Sequence, residues 1–381
     1  MRTTFRVGLV AGFLALPLFA QEQSKKDADA KSAEPPKADV SAKKEDPKTD
    51  EPSVAPPKRK RVIHAPGLVT PAVEKAAAKG LQFLASQQTP QGSFGSGQYG
   101  ENISVASLAA IAMMSGGSMP SEGIYADQVD RTLEFVMKNT SPSGFICVQR
   151  STSHGPMYDH GFGTLFLAEA YGMTKRPEIR EKLKKAVQLI VDTQNHEGGW
   201  RYFPQRVTQA DVSVTICQIM GLRAARNAGI HVPRSTVDRC VEYVKKCQNA
   251  DGGFRYTLFP PGNSQFPRSA AGVVTFHTAG IYEGKEVEKG LDYLMDFMPG
   301  KTTQTMRRDY HYFYGHYYAV QAMYQDGGDR WAKWYPAVRD ELLSKQRGDG
   351  SWYDSFGSEY GTAMACIILQ MPYSLLPIFQ H

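Results

Sequence analysis

Asp159-His160, Asp211, Asp309-Tyr310-His311 and Glu359-Tyr360 bring carboxylates, imidazoles and phenols together at four separated points of a 381-residue chain. Each group stands at or near the start of a stretch that reads as a helix, where a carboxylate is ordinarily favoured as a cap and by the helix dipole. Capping accounts for Asp159, Asp211 and Glu359. It does not account for the neighbouring His160, His311, Tyr158, Tyr310 and Tyr360. If these helix starts ring one mouth, their side chains can do acid–base work or hold a ligand. Asp211, Asp159 and His160 are the candidates for proton transfer, and Tyr158, Tyr310, His311, Tyr314, His316, Glu359 and Tyr360 those for ligand contact. For Asp211 two readings stay open, a helix cap and a functional acid.

His154, Asp159, His160, His311 and His316 also offer metal ligands, but no spacing among them matches a recognised zinc pattern, so neither metal nor other cofactor is expected. The aromatic run Tyr310, Tyr312, Phe313, Tyr314, Tyr317, Tyr318 has two readings. It fills space between helices, or one stripe of it faces a cavity and stabilises a cation or stacks on a sugar. His277, inside apolar Val273 to Ile281, reads as a core histidine.

The elements that position these groups come from a repeat. The turn Gln88-Thr-Pro-Gln-Gly92-Ser-Phe94 recurs as Gln194 to Trp200, Gln248 to Phe254 and Gln346 to Trp352, with a weaker copy at Asn139 to Phe145. Self-similarity at a step near fifty residues is the mark of a repeat architecture. Ahead of each turn runs an amphipathic helix, as in Ile179, Leu183, Val187 and Ile190. Behind each comes a helix apolar on all sides, such as Val212 to Ala225, which must be buried. Outer helices are expected at 71–87, 124–138, 177–193, 234–248, 284–297 and 329–345, each with one inner partner. Six outer and six inner helices predict an all-α, α6/α6 toroid over residues 67–381, its inner helices all starting at one mouth.

Ahead of the toroid, Arg2 and Arg6 followed by apolar Val7 to Phe19 and the small residue Ala20 read as a secretory signal, residues 1–20, predicting a secreted or periplasmic protein. Residues 21–66, rich in Lys, Asp, Glu, Ala and Pro, read as a disordered charged linker. Its end, Lys58-Arg59-Lys60-Arg61, could make a weak contact with an anionic surface. Residues 1–66 hold 13 Lys and Arg against 9 Asp and Glu, which leaves 31 against 29 afterwards, so no nucleic-acid groove is indicated. Cys217 and Cys366 sit in apolar helical stretches, and Cys240 and Cys247 lie too far apart on one helix to bridge, so no disulfide framework is expected.

The repeated turns resemble those of the squalene-hopene cyclases and the beta subunits of protein prenyltransferases. The stretches Gly198-Gly-Trp-Arg-Tyr202, Asp211-Val-Ser-Val-Thr-Ile-Cys217 and Tyr312-Phe-Tyr-Gly-His-Tyr-Tyr318 are similar to those of exported bacterial members of that superfamily. The resemblance implies an alpha-alpha toroid whose central cavity takes an isoprenoid-like ligand. Cyclases of the family carry Asp-x-Asp-Asp-Thr-Ala, whose central acid protonates an alkene; here the stretch is Gln209-Ala-Asp211-Val-Ser-Val214, and Asp211 alone is kept. The thioester Cys-Gly-Glu-Gln of complement-type toroids is absent. Three functions follow as expectations: a cavity for an isoprenoid-like ligand with Asp211 as the acid, a carbohydrate-binding or carbohydrate-active toroid, or a non-catalytic interaction scaffold.

Overall fold

The computed structural model describes residues 67–151, 155–301 and 311–380. The signal segment, the charged linker, His154, Asp309 and Tyr310 lie outside the described residues. Among the described residues twelve α-helices alternate in two layers: α1 Pro71–Gln87, α2 Ile103–Ser115, α3 Ala126–Lys138, α4 Pro156–Thr174, α5 Pro177–Thr193, α6 Val212–Asn227, α7 Arg234–Cys247, α8 Phe266–Thr278, α9 Lys285–Met295, α10 Tyr312–Asp326, α11 Gly328–Lys345 and α12 Ser358–Gln370.

The even-numbered helices form the inner layer. Each packs on the next, α2 on α4, α4 on α6, and so on to α12, which packs back on α2. Their composition requires this position: twelve of the thirteen residues of α2 are buried, and no polar face remains for solvent. The odd-numbered helices form the outer layer, each with a single buried stripe. In α5 that stripe is Ile179, Leu183, Ala186, Val187 and Ile190, the spacing that sets one helix face inward. The first helix, α1, packs against α12 and α2, so the two ends of the chain of repeats meet and the ring is closed. The six-and-six toroid expected from the repeat is the fold observed.

Each repeated turn is a joint between neighbouring repeats. Gln194 donates from Nε2 to the Gly198 carbonyl of its own turn at 2.8 Å and to the Thr236 carbonyl of the next outer helix at 2.9 Å. Gln248 repeats the pattern on Gly252 and on Glu286. Gln346 does the same on Gly350 and on Ala76 of α1. The turn glycine is required twice over at Gly198, which holds φ +100° and whose missing Cβ would collide with the Arg239 carbonyl of α7. The turn aromatic then wedges inward: Trp200 and Trp352 are buried, and their indole N–H groups donate to the Ile190 and Leu342 carbonyls at 2.7 and 2.8 Å.

The end of the barrel formed by inner-helix C-termini is covered by the chain's own tail. Two short 3-10 turns, Met371–Tyr373 and Pro377–Phe379, pack on α10, α12 and α6, with Leu376 and Phe379 buried. Gln325 on α10 donates to the Phe379 carbonyl at 2.7 Å. All five cysteines are free thiols, and four of them are buried.

Candidate functional site

Because all inner helices run in the same direction, their N-termini converge at the open end, where they enclose a cavity of about 340 Å³. Every inner helix contributes near its start: Asn102, Ser104 and Val105 for α2, Tyr158 and Phe162 for α4, Ser213 for α6, Gln265, Pro267 and Arg268 for α8, His311 and Tyr314 for α10, Tyr360 for α12. Loops between turn and inner helix add Tyr99, Tyr202, Tyr256 and Phe356. Among the described residues six tyrosines and two phenylalanines dominate this wall, and no carboxylate lines it.

Tyr158, His311, Tyr314 and Tyr360, expected from the sequence, line the cavity. The Tyr314 hydroxyl donates to the Ser213 carbonyl at 2.8 Å. His311 stacks on Phe356, ring centroids 5.8 Å apart and nearly parallel at 8°. Burial holds the Tyr158, Tyr314 and Tyr360 phenols well above the usual tyrosine range, so all three stay neutral donors.

Asp211 and Asp159 stand one hydrogen bond behind the wall, through Tyr256 and Ser104. Asp211 is fully buried and caps α6, its Oδ1 accepting from the Val214 N–H at 2.8 Å. Its Oδ2 accepts from the Tyr256 hydroxyl at 3.3 Å, and the Tyr256 hydroxyl also meets that of Tyr202. Burial raises Asp211 to about 6, against the lowering effects of its backbone hydrogen bonds, Arg201 and Tyr256. A helix cap and a titratable group are therefore combined in one side chain. Asp159 likewise accepts from the Ser104 N–H at 3.1 Å and the Ser104 hydroxyl at 2.6 Å, joining α4 to the start of α2. Glu359 accepts from the Ser96 hydroxyl at 3.1 Å.

His160 and His316 are not brought to this site, which corrects the expectation for both. His160 is fully buried between the layers, with Nδ1 accepting from the Ile146 N–H and Nε2 set 3.2 Å from the Ala186 carbonyl on α5. Desolvation lowers it to about 4 and keeps it neutral. His316 packs among the rings of Tyr312, Phe266 and Trp334. Burial and then Lys345 lower it to about 3. Both point from an inner helix toward the outer layer. Tyr310 is outside the described residues.

Asp238-Arg-Cys240 is an Asp-x-Cys spacing, two residue types able to ligate zinc. On α7 the two side chains diverge: Asp238 pairs with Arg234 on the surface at 2.8 Å, while Cys240 is buried in the core. No group of three or more His, Cys, Asp or Glu among the described residues is arranged to hold a metal ion.

Tyr202 and Tyr256 escaped assignment as site residues from the sequence, although a signal for them was present. Gly198-Gly-Trp-Arg-Tyr202 and Gly252-Gly-Phe-Arg-Tyr256 are copies of one pentapeptide in adjacent repeats. Two equivalent loops on neighbouring joints thus send equivalent phenols to one point. An arginine lies over each ring, Arg201 over Tyr202 at 5.6 Å and Arg268 over Tyr256 at 5.8 Å from the ring centre.

Fold and site together define an alpha-alpha toroid with an aromatic cavity at the inner-helix N-termini. Residues 63–201 and 180–294 match the prenyltransferase alpha-alpha toroid domain, more than half of the chain, and the protein belongs to that family. No sequence among curated proteins matches it. Among solved structures it is similar to a type II terpene cyclase from Scytonema in complex with merosterolic acid A, its product, at 12% identity, a TM-score of 0.58, and coverage of 79% of this chain and 97% of that one. A protein from Actinoplanes is similar at 15% identity and a TM-score of 0.56, over 80% and 99% of the two chains. A glycoside hydrolase family 76 mannosidase from Bacteroides thetaiotaomicron is similar at 10% identity and a TM-score of 0.54, over 80% and 98%. At these identities the likeness is one of fold.

Proposed function

We propose that the protein binds an isoprenoid-like ligand in the cavity at the inner-helix N-termini, with the buried acid Asp211 acting on the ligand-facing wall from behind it. The observation that carries this reading is the wall itself. Eight aromatic rings, with no carboxylate among the described lining residues, surround a space backed by one buried acid held near 6. An apolar chain gains from leaving water for such a surface, and aromatic faces stabilise positive charge that develops beside them. The terpene cyclases of the same fold bind ligands with a geranylgeranyl chain, which suits this wall. The apparent secretory signal would place the encounter outside the cytoplasm, and N-terminal sequencing of the mature protein tests that part. For the cavity, polyprenyl compounds are offered to the wild type and to Asp211→Asn. Unchanged turnover and binding in the variant would remove Asp211 from the function.

A second reading, a glycan site, is favoured by the mannosidases of the same fold and by phenols able to stack on sugar rings. Glycoside hydrolysis ordinarily needs two carboxyl groups flanking the scissile bond, and the described lining offers none. This reading therefore predicts binding without cleavage, and a glycan array decides it.

A further inference from the structure

Asp211 has no surface in the cavity. One of its oxygens is committed to the Val214 N–H and the other to the Tyr256 hydroxyl. The Tyr256 hydroxyl meets the Tyr202 hydroxyl, and both phenols do line the cavity. What a ligand meets at this point of the wall is therefore a pair of phenols. A phenolic O–H is a donor to oxygen lone pairs, and the carbon of an alkene offers no comparable acceptor. The paired carboxylates that would make a carbon acid of this site are replaced by Gln209 and Val212. A guanidinium lies over each ring, Arg201 on Tyr202 and Arg268 on Tyr256, and frames this point of the wall.

Resting on the reading of the cavity as an isoprenoid-like site, we infer that its ligand carries an oxygen acceptor, a carbonyl or ether oxygen, held by the Tyr202–Tyr256 phenol pair, with Asp211 acting on it only through Tyr256. Tyr202 and Tyr256 are the groups that touch the ligand, and Asp211 is a positioning residue. No bond is made or broken in this contact; the oxygen is hydrogen-bonded and polarised. Asp211 sets the direction of the Tyr256 hydroxyl. While Asp211 is protonated it donates to the Tyr256 oxygen and leaves the phenolic O–H for the ligand. As a carboxylate it takes that O–H back. The groups around Asp211 leave this titration to Asp211 itself. Arg201 is the cation facing it, and burial keeps Tyr158 on α4, Tyr243 and Cys247 on α7, Tyr314 on α10 and Cys217 on α6 neutral.

The test compares geranylacetone, an isoprenoid ketone, with the hydrocarbon in which its carbonyl is a methylene group, in protein carrying carbon-13-labelled tyrosine. The ketone is expected to bind about tenfold tighter, the worth of one good hydrogen bond, and to shift the Tyr202 and Tyr256 ring-carbon resonances where the hydrocarbon does not. Tyr256→Phe is expected to erase the preference for the ketone over the hydrocarbon. In the wild type the preference should weaken as pH rises through about 6, and in Asp211→Asn it should not depend on pH there. Equal binding of the two compounds by the wild type overturns the oxygen site and leaves the apolar cavity standing. Binding of neither overturns the cavity reading and this inference together. If Tyr256→Phe does not fold, the tyrosine resonances of the wild type decide: a ketone that leaves them unmoved overturns the inference.

Discussion

The Nε2 of Gln346 donates to the carbonyl of Ala76 at 2.9 Å, joining residues 270 positions apart. It is the same bond that Gln194 makes to Thr236 and Gln248 to Glu286, used here to join the last repeat to the first. Substituting Gln346→Ala leaves the Ala76 and Gly350 carbonyls without that donor and is expected to cost about 1–3 kcal/mol. Urea denaturation measures it, and Gln248→Ala, an interior joint, should lose a similar amount.

Glu169 on α4 is 3% exposed near the tail-covered end and accepts a backbone hydrogen bond from Ile378. Burial raises it from 4.5 to about 8. The unfolded chain therefore releases this proton first, so its contribution to stability is complete below pH 4.5 and is lost as pH climbs toward 8. Glu169→Gln should remove that slope. The stability difference between variant and wild type, followed by thermal melting across pH, is expected to move in favour of the variant by a few kcal/mol, at about 1.4 kcal/mol per pH unit.

His160 should behave as a structural residue. Replacing it with Leu leaves the Ile146 N–H and the Ala186 carbonyl without partners, an expected loss of about 2–5 kcal/mol. Because its folded value lies near 4, below the ordinary 6.5, His160 destabilises the native state as pH falls through that interval. His160→Leu should lose this part of the acid sensitivity, read by equilibrium denaturation at several pH values.

Asp211→Asn keeps an oxygen able to cap α6, and its stability is expected to stay within about 1 kcal/mol of wild type. What the variant loses is the proton. A titration near pH 6, observed by carbon-13 NMR of aspartate carboxyl groups, should vanish. If instead the variant unfolds, the carboxylate's main task is holding the helix start.

The fold was legible because the repeat writes the same joint several times, and glycine after glutamine marks every strong copy. The helix limits follow closely: 284–297 was expected where Lys285–Met295 forms. The site was half legible, for a physical reason. In an inner helix buried on all sides, hydrophobic periodicity carries no sign that separates the cavity face from the wall face. His160 and His316 sit near the same helix starts as Tyr158 and Tyr314 yet point the other way. Tyr202 and Tyr256 lie in loops, whose direction is set by two neighbouring joints and not by any local pattern.

An open stack of helical repeats can lose its terminal unit and keep the rest, so its unfolding spreads from the ends. Here α1 is clasped by α11 and α12, and no repeat is terminal. To release any one of them, two seams must part at once. Fraying is thereby replaced by all-or-none rupture, and an aromatic chamber that depends on all six inner helix starts keeps its shape until the whole circle fails.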